Sequence, residues 1–164
     1  MRFVGITGGV GAGKTEILNF LAKQDGIEVM LADEIAHELM EPDGACYEKL
    51  TGLFAGDGVF ADDGSIKRDR MAEVIFSDAA KREALNAIVH PAVKEYVTER
   101  AKKERERGVL RILVLEAALL IEEGYDCICD ELWYIYTTEE NRRKRLMESR
   151  GYSKEKVAQI FQSQ

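Results

Sequence analysis

The sequence predicts an α/β fold built on a parallel sheet, with a helical insertion near its middle. Three observations predict it. Short apolar segments, among them "RFVGIT" and "RILVLEA", alternate with stretches of helical periodicity. Strands separated by helices are joined by crossovers, and crossovers make parallel pairs. A glycine-rich stretch, "GGVGAGK", fills the turn between the first such segment and the first helical pattern. Finally, residues 34–108 carry helical patterns and turn signals but no convincing strand, the form that a substrate-binding insertion takes between two strands of a sheet.

The elements follow in order. Phe3 to Thr7 is short, apolar and partly β-branched, as a buried strand requires. Ile17, Leu18, Leu21 and Ala22 then recur at helical spacing, giving a helix from Lys14 to about Lys23. "IEVMLAD" reads as a second buried strand that ends at Asp33. "EIAHELM" is a short helix closed by "EPDG", "ACYEKLTGLF" is another, and "GDGVFADDGSIKRD" is rich in turns. "RMAEVIF" and "AKREALNAIV" continue helically. Pro91 suits the first turn of a further, long helix ending near Gly108, because proline's missing N–H costs nothing there. "RILVLEA" is the third strand, with Glu116 at its carboxyl end, and "ELWYIYTT" the fourth. "EENRRKRLMESR" and "SKEKVAQIFQSQ" are two closing helices, the second with Ser153 as N-cap and Lys156 three residues on.

Composition narrows the function. The 164 residues suit one domain with a sizeable core, and 46% of them are hydrophobic, which argues against disorder. Against 30 Asp and Glu there are 23 Lys and Arg, a net charge of −7. Such a balance speaks against a nucleic-acid or anionic-membrane binder, which needs a positive face. An anion must therefore be held by a local site. Cys46, Cys127 and Cys129 show no zinc-ligand spacing and read as buried or half-buried free thiols of a reducing compartment. No signal peptide is visible, and no apolar run approaches the ~20 residues needed to span a bilayer, so a cytoplasmic location is expected.

The local anion site is legible. Gly8, four residues, then Gly13-Lys14-Thr15 match the phosphate-loop pattern G-x-x-x-x-G-K-[ST]. A loop that wraps phosphate turns its N–H groups inward, which takes backbone conformations that glycine adopts cheaply. The helix starting at Lys14 adds its dipole and its unpaired N–H groups. Gly8, Gly9, Val10, Gly11, Ala12 and Gly13 thus form the cradle. Lys14 reaches the β- and γ-phosphates, and the Thr15 hydroxyl ligates Mg²⁺. A chance match in a chain of this length is on the order of one in a hundred by average composition, and this one lies between strand and helix, where it must.

A phosphate loop serves switches, motors and kinases alike. Neither a guanine-reading "NKxD" nor a "DxxG" after the third strand is present. "NRRKRLMESR" places Arg142 and Arg145 on one helical face, suited to neutralising a transferred phosphoryl group from a closing segment, although an ordinary basic surface would look the same. Asp33 falls where ligands of parallel sheets collect and could accept a proton from an attacking hydroxyl. It could equally cap the helix that "DEIA" opens.

"GITGGVGAGKT", "ADEIAHEL", "IVHP", "EAALLIEEG" and "ENRRKRLMESRGYS" with its following glutamine stand in the order and at the spacing of dephospho-coenzyme A kinases. The chain resembles that family over essentially all of its length. The resemblance implies a three-layer P-loop kinase fold with strand order 2-3-1-4, the family's fifth strand lying past the residue that matches Gln164; a truncation of the chain is expected on that ground. It implies transfer of the ATP γ-phosphate to the ribose 3′-hydroxyl of dephospho-coenzyme A. Residues 1–33 and 109–138 would form the nucleotide-binding core, 34–108 the coenzyme A side, and 139–164 the lid and closing helices. Asp33 would be the base, Arg68, His90, Pro91 and Glu116 would attend the acceptor, and Arg142 and Arg145 would belong to the lid. His90 could also be a core histidine. Four positions depart from the family's pattern: Glu116 stands where an Asp or an apolar residue is often found, Ala118 replaces a proline, Glu16 follows Thr15 where a second hydroxyl is usual, and Ser149 stands at a basic position with Arg150 next to it. A kinase for another nucleoside or nucleotide, or a non-catalytic nucleotide binder, are the alternatives.

Overall fold

In "RFVGIT", apolar side chains point to both faces of the strand, and the structure buries both. Phe3, Val4 and Ile6 of β1 (Arg2–Thr7) are all buried, the pattern of an inner strand in a parallel sheet. The computed structural model describes residues 1–162. β1 pairs in parallel with β3 (Ile112–Glu116), Phe3 opposite Leu113 and Val4 opposite Val114. On its other side it pairs in parallel with β4 (Glu131–Tyr134), Ile6 opposite Trp133. With β2 (Ile27–Leu31) the sheet order is β2-β3-β1-β4, as the resemblance implied. Leu113, Val114 and Leu115 are fully buried, whereas Leu132, Trp133 and Tyr134 of the edge strand β4 are exposed.

The chain divides into two units. The first joins Met1–Met30 to Glu104–Gln164, and the second is Leu31–Lys103. The first unit holds most of the sheet, α1 (Lys14–Leu21), α6 (Glu139–Arg150) and α7 (Lys154–Gln162). Thr138 caps α6 by accepting from the Asn141 N–H at 3.3 Å, and Ser153 caps α7 by accepting from the Lys156 N–H at 3.2 Å.

The second unit holds α2 (Ala32–Met40), α3 (Tyr47–Leu53), α4 (Arg68–Ser77) and most of α5 (Ala79–Arg107). The turn-rich stretch closes on itself through an isolated antiparallel bridge between Phe60 and Ile66. Tyr47 packs edge-to-face on Phe60, with centroids 5.7 Å apart, and donates its hydroxyl to the Gly64 carbonyl at 2.7 Å.

Three expectations need correction. β2 ends at Leu31, and Asp33 is already the second residue of α2. Acidic Asp33 and Glu34 suit a first helical turn, where the N-terminal dipole favours negative charge. Pro91 lies inside α5, not at its start. Leu85, Val89, Val93, Val97 and Ala101, each four residues on, are buried on both sides of it. Burial of that continuous stripe outweighs the lost hydrogen bond and the ~3 kcal/mol that proline costs in a helix interior. Cys46 and Cys129 are buried and half-buried, but Cys127 is exposed. Burial, aided by the charge of Asp130, pushes the Cys129 thiol up to about 11.

Candidate active site

The phosphate loop is built by a strand that stops and a helix that starts without a cap. Gly8 has φ 147°, and a Cβ on it would stand 2.4 Å from the Ile135 carbonyl oxygen, so no other residue fits. Gly13, the residue before α1, has φ 101°, and no side chain caps the first turn that follows. The loop and that turn line a cavity of about 890 Å³, within the range of small-molecule sites.

Three cations grip the loop's carbonyl oxygens. Lys14 Nζ donates to the Gly8 carbonyl at 2.5 Å and lies 3.7 Å from Glu116 Oε1. Arg142 Nε donates to the Val10 carbonyl at 2.8 Å, and Arg145 Nη1 to the Ala12 carbonyl at 2.7 Å. The two arginines expected at the transferred group are therefore brought to the loop itself. Arg145 lines the cavity, whereas Arg142 is absent from its lining.

Gly9 to Thr15 and Glu116 line the same space. The Thr15 hydroxyl and the Glu116 carboxylate are hard oxygen donors, which fits a magnesium ion. Sequence reasoning did not single out Tyr136 and Thr137 as lining residues. The available signal was their place just past the carboxyl end of β4, where ligands of parallel sheets collect. Glu16, Ser149 and Arg150, noted only as departures from the family's pattern, also line the cavity.

The second unit has a site of its own. Arg68, the first residue of α4, lies 3.3 Å from His37 Nδ1 through Nη1 and 3.4 Å from Glu41 Oε1 through Nη2. A guanidinium only donates, so in this contact His37 Nδ1 is the acceptor. These three residues, with Met40, Ile66, Met71, Ile75 and others, line a cavity of about 190 Å³. His37 and Glu41 escaped sequence reasoning, although their four-residue spacing on α2 puts both on one face. Asp33 is exposed in the first turn of α2 and makes no capping bond. His90 is half-buried and Pro91 exposed on α5, and neither lines either cavity.

The dephospho-CoA kinase family model matches residues 2–164. The chain belongs to the dephospho-CoA kinase family. It is 36% identical to the dephospho-CoA kinase of Dehalococcoides mccartyi over 164 residues, covering 100% of this chain and 81% of that one. With the dephospho-CoA kinase of Shouchella clausii it shares 34% over 161 residues, 98% of this chain and 80% of that one. Among solved structures, TT1252 from Thermus thermophilus superposes with a TM-score of 0.75 at 28% identity, covering 99% of this chain and 80% of that one. A dephospho-CoA kinase from Campylobacter jejuni superposes with a TM-score of 0.66 at 23% identity, over 100% of this chain and 81% of that one, and supports the fold. Family membership makes the chain an ATP-dependent transferase with a P-loop kinase fold.

Proposed function

We infer that this chain transfers the γ-phosphate of ATP to the ribose 3′-hydroxyl of dephospho-coenzyme A, the last step of coenzyme A biosynthesis. The phosphate loop carries the reading: its uncapped helix start, Lys14, Thr15, Glu116 and Arg145 surround one cavity. The curated relatives named for this reaction, alike over the whole chain, support the acceptor.

In the reaction the 3′-oxygen bonds to the γ-phosphorus, the bond to the β-phosphate oxygen breaks, and ADP leaves. The 3′-hydroxyl proton passes to Asp33, whose exposed carboxylate lies in the first turn of α2, two residues past β2. Lys14 and the α1 N–H groups neutralise the phosphates. Thr15, with Glu116, would hold Mg²⁺, which spreads the charge of the β- and γ-oxygens. Charge on the transferred group falls to Arg145, and Arg142 supports the loop. Arg68, held by His37 and Glu41, is the candidate for the acceptor's own phosphates, with His90 and Pro91 shaping that side. Residues 34–108 then serve as the coenzyme A side of a cytoplasmic enzyme.

Release of ADP, measured by coupled assay with Mg-ATP and a panel of acceptors, tests the reading. Dephospho-coenzyme A should be the preferred acceptor. Better turnover of another nucleoside, or nucleotide binding without any turnover, would overturn it. Asp33→Asn should lower kcat by about 10² or more while leaving the ATP KM within about twofold. A change in kcat under threefold excludes Asp33 as the base.

A further inference from the structure

Arg142 is gripped from two sides. Its Nε donates to the Val10 carbonyl at 2.8 Å, and its guanidinium carbon lies 4.4 Å from the centre of the Phe161 ring on α7. Arg143 stacks over the same ring at 5.0 Å, while its own guanidinium pairs with Glu139. The Arg142 guanidinium also lies so close to Gly9 that a Cβ there would stand 2.6 Å from Cζ. The group is thus wedged between an aromatic face and the loop backbone.

A guanidinium held over a ring face loses rotational freedom, while its N–H donors, which radiate in its own plane, stay available to other partners. The trans peptide is rigid, so a carbonyl held in one direction fixes the N–H of the next residue in the opposite one. Holding the Val10 oxygen therefore orients the Gly11 N–H, one of the donors a phosphate loop offers. Without the ring, Arg142 loses one of the contacts that hold its guanidinium against the loop, and its hold on the Val10–Gly11 peptide loosens. The loop would then have to be ordered again each time a nucleotide binds, which weakens binding without touching the reacting atoms.

We propose that Phe161 is a positioning residue for the phosphate loop, acting through Arg142: α7 presets the ATP site by stacking an aromatic ring under the guanidinium that holds the Val10 carbonyl. The proposal rests on the reading that this loop holds the phosphates of ATP.

Steady-state kinetics and calorimetric binding of a non-hydrolysable ATP analogue test it on Phe161→Leu, Phe161→Tyr and Arg142→Met. Leucine keeps the apolar volume but has no ring face. Phe161→Leu should raise the ATP KM and the analogue Kd about three- to tenfold, with kcat and the dephospho-coenzyme A KM within about twofold. Phe161→Tyr, which keeps the ring, should restore wild-type values. In the double variant Phe161→Leu with Arg142→Met, the ATP KM should rise no further than with Arg142→Met alone, because Phe161 acts through Arg142. Unchanged ATP affinity in Phe161→Leu, a Tyr variant as impaired as the Leu variant, or additive effects in the double variant would each overturn the proposal. Analogue binding is read independently of turnover. A wild-type protein that binds the analogue but transfers nothing to dephospho-coenzyme A therefore fails the functional reading and leaves this test intact.

Discussion

Glu16 is the residue at which chain and phosphate conflict. Its carboxylate Oε2 lies 3.2 Å from where a side-chain carbon on Gly13 would stand, and Arg145 Nη1 lies 2.8 Å from the same point. An acid in the first turn of α1 is favoured by the helix dipole, so it stabilises the protein without nucleotide. The same charge lines the cavity that must take a polyanion. Glu16→Ser is expected to lower the ATP KM about two- to tenfold. The gain should shrink as ionic strength passes ~0.1 M, where the screening length falls to ~10 Å. It should also cost about 0.5 kcal/mol of stability, read by denaturant melts. An ATP KM unchanged at low salt would mean that Glu16 does not face the phosphates.

At the scale of the element, α6 does the most for the site. Arg142, Arg145, Leu146 and Ser149 recur at spacings of three and four, so one face carries the loop-holding arginines and the buried Leu146. Ser149 donates to the Arg145 carbonyl at 2.6 Å and lines the cavity beside Arg150. Ser149, at the family's basic position, and Arg150 next to it thus both line this cavity. α5 carries the opposite lesson. Its proline forfeits one backbone bond in mid-helix, and the stripe from Leu85 to Ala101 carries the helix through regardless. Pro91→Ala is expected to raise stability by about 1–3 kcal/mol, visible as a higher melting temperature. A simultaneous rise in the dephospho-coenzyme A KM, with the ATP KM unchanged, is the outcome expected if the proline shapes the acceptor side. A melting temperature that falls would show that the proline ring is itself needed for packing.

At the scale of the molecule, one carboxylate ties distant parts of the first unit together. Asp130 accepts from the Phe3 N–H at 2.7 Å and from Arg105 Nη2 at 2.9 and 3.0 Å, joining β1, the start of β4 and the end of α5. The Phe3 N–H, and then the Arg105 guanidinium, hold the Asp130 carboxyl below its ordinary range. The folded state therefore binds this proton less readily than the unfolded chain does. Its contribution is complete above the unfolded value of ~3.9 and is lost as pH falls through the lower folded value. Asp130→Asn should cost about 1 kcal/mol at neutral pH, a modest figure because the group is partly exposed and screened. It should also flatten the acid limb of a stability–pH profile recorded by urea melts. An acid limb identical to that of the wild type would show that the Asp130 bonds do not differ between folded and unfolded states.

The strands, the phosphate loop and the helical middle were legible because each is a local pattern. Apolar runs, glycines at fixed spacing and helical periodicity need no knowledge of the remaining chain. Asp33 was misplaced by a strand end because propensity marks element ends poorly, and helix start and strand end compete for the same few residues. Pro91 was misplaced because proline's local cost is plain in sequence, while the burial that outweighs it is not. Arg142 was read as a residue of the transferred group's surroundings, and a backbone carbonyl 132 residues away accepts its bond. No spacing rule encodes such a contact. The sequence by itself determined the fold class, the phosphate site and the family, since these are written in short patterns whose physics is local. Only the tertiary structure decided that three cations hold the loop's carbonyls, that Arg68 sits with His37 and Glu41, and that Phe161 backs Arg142, because those contacts depend on where the chain returns after long excursions.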